Sequence, residues 1–437
     1  RESGWIVPLD LLDWEYHIPT PELPKHLYPF QKDAIIRALA ANRLLVSFEM
    51  GLGKTATAIE VAKAKHARSL LIICPASVRY VWLDELERWW GSCPEAKIID
   101  GDELLADISI MSYERLLRLM KLERSLAGFS GIIIDESHAI ANPKAQRSQA
   151  CFRVLDANPQ AFRLLLTGTP ILTNPESIWH QWHCLWPNTA GSYWQFRRRY
   201  QNAVPDEWAH SGFRWEGVKG ETSRELRTRL ASIAIRVTRK EAGNVLPPSI
   251  VQLVKMQSSQ DSPRQLFDLT RMDLHNTDLG NFLRASGQAK VNFAAERALA
   301  TGEACGKVLV VTYHHELAAA IADRLKAADR PTTIIGGEAP KRRGELLRRA
   351  KAEASCYVVG TMLSINTGIN LNWFDKAIIA ELHSSPAIMA QMLARFCRAG
   401  STAATPVEIL AIDGTADEAI ARTLVSRSRA VGMLQAK

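Results

Sequence analysis

Residues 47–58 read SFEMGLGKTATA. The apolar run RLLVSFE leads into two closely spaced glycines, then Lys54 and Thr55, then ATAIEVAKA, a good helix former. Strand, glycine-rich turn and helix, in that order, make a loop that wraps a phosphate. Gly51 and Gly53 allow tight turns and close backbone approach, so main-chain N–H groups can ring an anion. Lys54 would reach the β- and γ-phosphates and Thr55 would ligand Mg²⁺. The helix N-terminus adds partial positive charge beneath the anion. The usual pattern, G-x-x-x-x-G-K-[ST], asks for glycine where this chain has Phe48. The core of the loop is the later Gly-Lys-Thr, so that departure is tolerable.

A second stretch supports the first. GIIIDESHAI (131–140) is an apolar strand ending in Asp135-Glu136. Beside a phosphate loop, such a strand end places one carboxylate on hydrated Mg²⁺ and the next against the attacking water. Asp135 is the expected metal partner and Glu136 the expected general base. A third stretch, AQMLARFCRAGS (390–401), spaces Arg395 and Arg398 three apart on one helical face, with Gln391 four residues before Arg395. Arginines from a facing domain can stabilise charge on a transferring phosphoryl group. Two arginines on a helix are usually a solvated face; their meaning here comes from the other two stretches.

Working outward, apolar runs alternate with helical patterns from Leu27 to about Leu172: RLLVSFE, SLLIICPA, KIID, ISIMS, GIIIDES and RLLLTGT. This alternation predicts a parallel sheet flanked by helices, with ligands at the strand ends. A second alternation begins at Lys307: KVLVVTY, TTIIGG, CYVVGT, KAIIAEL and VEILAID. The fold class is therefore α/β, with two parallel-sheet lobes. The expected divisions are a lead-in at 1–24, a first lobe at 25–175, a helical insertion at 176–240, a linker and helical segment at 241–302, and a second lobe at 303–437. The insertion shows no strand pattern, and six of the twelve tryptophans fall in it between 179 and 215. Pro247-Pro248 marks a break before the second lobe.

A length of 437 residues asks for two or three domains. Hydrophobic content of 47% with 23% charged residues is that of a globular chain. No apolar run approaches a membrane span, and RESGWIVPLD has no signal-peptide layout and reads as a trimmed start. The seven cysteines are scattered without a C-x-x-C pair, which argues against a disulfide framework or zinc ribbon and for a reducing compartment. His180, His183 and Cys184 form an H-x-x-H-C group, but without a second ligand pair they read as structural. The net charge of +8 suits a polyanionic partner without requiring one.

Taken in order, these stretches resemble the SNF2 branch of superfamily 2 helicase-like ATPases over about residues 25–425. LYPFQKDAI (27–35) resembles the adenine-recognition motif, with Gln31 as its glutamine, and EMGLGKT (49–55) resembles motif I. LLIICPASVRYVWLDELERW resembles motif Ia, ISIMSYERL motif Ib, DESH motif II and LLLTGTPILTNPESIW motif III. IRVTRKEAGNVLPP resembles the family's junction before the second lobe. KVLVVTYHHELAAAIADRL, TMLSINTGINLN and 391–400 resemble motifs IV, V and VI. Finer features, including DESH with serine, Ala380-Glu381-Leu382 and GTADE (414–418), resemble the annealing-helicase, HARP-type branch. Motif VI departs from the pattern at Cys397 and Ser401, as does Ile140-Ala141-Asn142 after motif II.

The resemblance implies two RecA-like lobes with ATP and Mg²⁺ held by Gln31, Glu49, Met50, Gly51, Leu52, Gly53, Lys54, Thr55, Asp135 and, from motif V, Gly368. It implies that His138, Thr167, Gly168, Thr169 and Gln391 link nucleotide state to the grip on DNA. The implied backbone contacts are Ser77, Arg79, Ser112 and Tyr113 in the first lobe and Tyr313, Thr361, Ser364 and Asn366 in the second. A turn or capping role fits any one of these small polar residues equally well. Three basic clusters, Arg197-Arg198-Arg199, Lys341-Arg342-Arg343 and Arg348-Arg349, would extend the track or simply be solvated helix faces.

The expected activity is an ATP-driven translocase on double-stranded DNA that remodels branched DNA or displaces DNA-bound protein. It would work as a monomer, away from membranes, in the cytoplasm of a bacterial or phage-infected cell or in a eukaryotic nucleus. Two alternatives stay open at this point: a strand-separating DNA or RNA helicase of the DExH class, and a nucleotide-gated nucleic-acid-binding scaffold.

Overall fold

The fold is taken from a computed structural model, which describes residues 22–101, 106–122, 125–168, 175–205, 213–239, 241–243, 251–257, 276–365, 371–383, 389, 392–396, 405–415 and 417–422. The chain divides into two compact units after Thr238, with Met50–Leu52 grouped with the second.

In the first unit every expected strand is present: β1 (Arg43–Phe48), β2 (Leu70–Cys74), β3 (Ala96–Ile98), β4 (Ile108–Ser112), β5 (Gly131–Asp135) and β6 (Phe162–Leu166). The helices between them are α1 (Pro29–Ala41), α2 (Lys54–Ala64), α3 (Arg79–Trp90), α4 (Tyr113–Lys121) and α5 (Gln146–Asp156). LLIIC, ISIMS and GIIID are buried at every position, as strands covered on both faces by crossover helices must be. The seven-stranded sheet is parallel throughout, in the order β3-β4-β2-β5-β6-β1-β9, where β9 is Ala234–Val237. Strand β6 lies between β1 and β5, which puts the phosphate loop and the Asp135-Glu136 pair about 10 Å apart, two strand spacings.

The insertion differs from its expected all-helical character. It holds α6 (Glu176–Leu185), α7 (Tyr193–Tyr200) and α8 (Gly220–Ile233), but also an antiparallel hairpin of β7 (Asn202–Pro205) and β8 (Phe213–Glu216). Its last segment, β9, runs parallel to β1 as the edge of the main sheet. The hairpin strands are four residues each, and β7 is largely exposed, so neither is long enough to stand out as an alternating run. Strand β9 is equally short and follows directly on α8, which hides it from a reading by periodicity.

The second unit holds β11 (Lys307–Thr312), β12 (Thr332–Ile335), β13 (Cys356–Thr361), β14 (Lys376–Ile379) and β15 (Val407–Ile412), all expected. A sixth strand, β10 (Val251–Met256), lies in the stretch expected to be linker and helix; it pairs along its whole length with β15. The sheet is parallel, in the order β10-β15-β14-β11-β13-β12. Helices α9 (Asn276–Ala289), α10 (Val291–Cys305), α11 (His315–Ala327), α12 (Pro340–Ala352) and the short α13 (Met362–Ile365) complete the described elements. Among the described residues no helix is long and apolar enough to cross a membrane.

Candidate active site

Strand β1 ends at Phe48, whose ring is wholly buried and meets Phe30 edge-on at 5.2 Å. The Phe48 side chain thus serves the packing of α1 and stays out of the loop, while its carbonyl accepts from Lys54 Nζ at 3.1 Å. Only the main chain of residue 48 faces the lysine, which is why glycine is dispensable there. Gly51 and Gly53 sit at φ 87° and 78°, in the left-handed region glycine enters without cost. Gly53 caps α2, whose first turn carries no acidic residue to compete with a bound anion.

Gln31 closes the other side of the loop. It is buried on α1, and its Oε1 accepts the Tyr28 amide at 2.9 Å. Its Nε2 lies so close to Gly53 that a Cβ there would collide with it. Gln31, the glutamine expected beside adenine, and the glycine turn at residue 53 are therefore in direct contact. Leu52 is fully buried, and Thr55 and Lys54 are half-buried on the first turn of α2. Arg239, just past β9, donates to the Met50 carbonyl from Nη2 at 2.9 Å and from Nε at 3.2 Å, a brace on the loop not foreseen from the sequence.

At the end of β5, Asp135 is buried. Its Oδ2 accepts from Trp82 Nε1 at 2.9 Å, and its Oδ1 accepts the Glu136 amide at 2.9 Å. Burial pushes its pKa up to about 6, with the neighbouring Glu136 charge adding to the rise. The Trp82 hydrogen bond and the Lys54 ammonium pull it back. Each carboxylate oxygen keeps a lone pair beyond these bonds. The Asp135 carboxylate and the Thr55 hydroxyl make an all-oxygen donor pair, which fits Mg²⁺, a cation that takes one or two protein ligands beside water and phosphate. No group of three or more His, Cys, Asp or Glu that could hold a metal ion exists among the described residues. The H-x-x-H-C group is an aromatic stack instead: His183 lies flat between Trp179 and Phe152, at 4.9 and 4.8 Å, and His180 Nδ1 meets Cys184 Sγ at 3.2 Å.

Glu136 takes left-handed backbone angles, φ 50° and ψ 50°, uncommon for a residue with a side chain. Its Oε2 lies 3.3 Å from His138 Nδ1, and the same nitrogen is 3.2 Å from Thr167 Oγ1 at the end of β6. The structure thus brings together Glu136, His138 and Thr167. Gly168 follows, half-buried. Arg395 is half-buried on a short 3₁₀ turn, Ala394–Phe396. Thr169, Asn366, Gly368, Gln391 and Arg398 lie outside the described residues.

Three of the side chains expected to contact a nucleic acid backbone in the first unit have partners within the fold. Arg79 is buried, donating to the Ala76 carbonyl at 2.9 Å and pairing with Asp100. Ser112 is the N-cap of α4, accepting from the Arg115 amide at 3.1 Å. Tyr113 is buried and donates to the Asp135 carbonyl at 2.6 Å. These side chains serve the interior because each sits at a helix start that needs a cap or an anchor. Ser77 is half-buried, as are its neighbours Pro75, Ala76 and Val78, and Glu114 on the first turn of α4 is exposed.

In the second unit, Thr361 Oγ1 donates to Ser364 Oγ at 2.9 Å, and Arg343 donates to the Ser364 carbonyl at 2.5 Å. The Tyr313 ring stands between His314 and His383, 4.9 Å from each. Wholly buried Glu381 accepts the amides of Tyr313 and His314 at 2.6 and 2.9 Å. Of the basic clusters, Arg197 pairs with Glu176 at 2.8 Å among the rings of Tyr193, Trp194 and Trp215, and Arg199 grips Glu225 with two nitrogens. Arg198 is left exposed.

Comparison with known proteins gives a family match, "SNF2-related domain", over residues 36–295. A Xenopus tropicalis protein, "SWI/SNF-related matrix-associated actin-dependent regulator of chromatin subfamily A-like protein 1", is 28% identical over 91% of this chain and 44% of its own length. A Mus musculus protein, "DNA annealing helicase and endonuclease ZRANB3", is 26% identical over 94% of this chain and 41% of its own. The chain thus spans less than half the length of either relative. A solved structure, "Sulfolobus solfataricus SWI2/SNF2 ATPase core in complex with dsDNA", is 21% identical over 93% of this chain and 92% of that one. The TM-score between the two is 0.45.

Proposed function

The chain belongs to the SNF2-related family, whose members are DNA-dependent ATPases, and from that premise we propose that it hydrolyses ATP to translocate on double-stranded DNA, remodelling branched DNA or displacing bound protein. The observation that carries the reading is the gathering of the phosphate loop, the Asp135-Glu136 pair and Thr167 at the ends of three neighbouring strands, β1, β5 and β6. Lys54 leans on the Phe48 carbonyl, Asp135 is held at the end of β5, and Glu136 adjoins His138, which adjoins Thr167.

In this reading Lys54 neutralises the β- and γ-phosphates and Gln31 flanks the base. Thr55 and Asp135 hold Mg²⁺, which supplies charge neutralisation on the phosphates when bound. Glu136 takes the proton of the attacking water. Arg395 and Arg398 stabilise charge on the transferring phosphoryl group. The net charge of +8 and the names of the relatives, an annealing helicase among them, support DNA as the partner. A monomer acting on DNA, in whichever compartment holds it, completes the proposal.

The test is steady-state ATP hydrolysis alone and with single-stranded DNA, duplex DNA, forked DNA or RNA, alongside Lys54→Ala. Strong stimulation by duplex or forked DNA that vanishes in the variant is the expected result. Stimulation by RNA alone, or by nothing, would overturn it. Displacement of a strand from a tailed duplex would select the strand-separating helicase instead.

A further inference from the structure

Two buried donors converge on Asp135 from separate elements. Trp82, wholly buried on the second turn of α3, donates its indole N–H to Asp135 Oδ2 at 2.9 Å. Tyr113, the first residue of α4, donates its hydroxyl to the Asp135 main-chain carbonyl at 2.6 Å and lies 3.5 Å from that of Glu136. Helix α3 continues from the turn carrying Ser77, and α4 starts directly after Ser112, its cap. Both helices therefore begin in segments that reach the carboxyl edge of the sheet, where main-chain amides can meet a nucleic acid backbone. One bond fixes the carboxylate and the other fixes the peptide that bears it.

A buried indole or phenol needs some acceptor, and most find one in a carbonyl of no functional weight. Here both choose the same residue, the expected Mg²⁺ ligand, and the indole takes a carboxylate oxygen rather than a carbonyl. A carboxylate ligand held by a donor on its second oxygen keeps a fixed orientation, and loss of such a partner changes metal affinity or activity by about ten- to a hundredfold in known sites.

We propose that Trp82 and Tyr113 are positioning residues that lock Asp135 to the two segments ending β2 and β4, so that a nucleic acid seated on those segments sets the carboxylate for Mg²⁺. This rests on the reading of those segments as the track in the first unit. A pull on either helix start is transmitted through one hydrogen bond, without a change in the sheet. Basal turnover then reflects the carboxylate as these bonds hold it with the track empty, and stimulated turnover the carboxylate as they hold it with the track filled.

The experiment compares the full chain with Trp82→Phe, Tyr113→Phe and a packing control, Leu86→Ala, which removes a buried side chain of the same helix. ATP hydrolysis is titrated with Mg²⁺ and with duplex DNA, and melting temperatures are recorded. Both aromatic variants should raise the half-saturating Mg²⁺ concentration by about tenfold and cut the factor of DNA stimulation by at least about fivefold. Leu86→Ala should leave both quantities within about twofold even where its melting temperature falls further. Aromatic variants that keep the wild-type Mg²⁺ dependence and stimulation, or a control that reproduces their losses, would overturn the proposal. Wild-type turnover indifferent to every nucleic acid would sink the DNA-motor reading and the coupling with it, while a Mg²⁺ shift in the variants would still register the positioning of Asp135.

Discussion

His138 Nδ1 stands 3.2 Å from the hydroxyl of Thr167, joining the turn after β5 to the end of β6. The same nitrogen is 3.3 Å from Glu136 Oε2, so one imidazole faces both the expected base and the residue that opens the Thr167-Gly168-Thr169 stretch. His138→Ala should leave nucleotide binding intact and lower DNA-stimulated hydrolysis by about tenfold, within the range of coupling between linked sites. Thr167→Val should do the same, and the double variant should be no worse than either single. Additive losses in the ATPase assay would show that the two residues act independently.

The buried carboxylate of Asp135 gives the first unit a stability that depends on pH. Its pKa rises from 3.8 to about 6, because burial and the Glu136 charge disfavour ionisation. Between those values the folded state holds a proton that the unfolded state has released, so stability falls as pH rises from about 4 to 6 and the loss is complete above that. The full cost is on the order of 3 kcal/mol, from about two pKa units at 1.36 kcal/mol each. Thermal melts in chelator should show this slope, and Asp135→Asn should remove it and melt higher at pH 7. An Asp135→Asn protein with the wild-type slope would refute the assignment. Added Mg²⁺ should restore wild-type stability above pH 6, since a cation compensates the buried charge.

The sheets were legible because their strands are buried on both faces, where selection for bulk leaves unmistakable runs such as LLIIC and GIIID. Strands β7, β8, β9 and β10 were not, since edges and hairpins bury too little to print a period. The candidate loop residues stand out for a related reason: a phosphate loop needs glycine, lysine and threonine in the fixed order of Gly53, Lys54 and Thr55. The roles of Trp82, Tyr113 and Arg239 were hidden, because a hydrogen bond across 53 positions, as from Trp82 to Asp135, leaves no local signature. Phe48 looked anomalous only while its side chain was imagined in the loop; its ring belongs to the α1 interface.

Gly53 tests the geometry of the loop. An added Cβ would strike Gln31 Nε2, and φ of +78° strains any other residue. Gly53→Ala should lose about 1–2 kcal/mol of stability from the backbone alone. Its affinity for a fluorescent ATP analogue should fall at least about tenfold, as the displaced Gln31 and a distorted loop both oppose binding. Gln31→Ala in the same chain relieves the collision and leaves the backbone strain, so it should recover only part of the loss. Complete recovery in the binding titration would mean that strain at residue 53 is immaterial.

The second unit rests on a charge pair that can be broken cleanly. Lys290 and Asp417 are both wholly buried, with Nζ 2.8 Å from Oδ2. The ammonium also donates to the Leu410 carbonyl at 3.3 Å, and Asp417 Oδ2 accepts the Ile412 amide at 3.1 Å. The pair thereby ties the start of α10 to the end of β15 and the turn beyond it. Removing one partner strands a charge in a dry interior, which costs about 3–5 kcal/mol, whereas removing both costs little if the volume is kept. Asp417→Ala should therefore unfold the second unit at markedly lower urea concentration. Lys290→Met combined with Asp417→Leu should return the midpoint close to that of the wild type. The sum of the single-variant losses should greatly exceed the loss in the double variant. Equal values would mean that neither charge depends on the other, and that the GTADE segment is held by its hydrogen bonds alone.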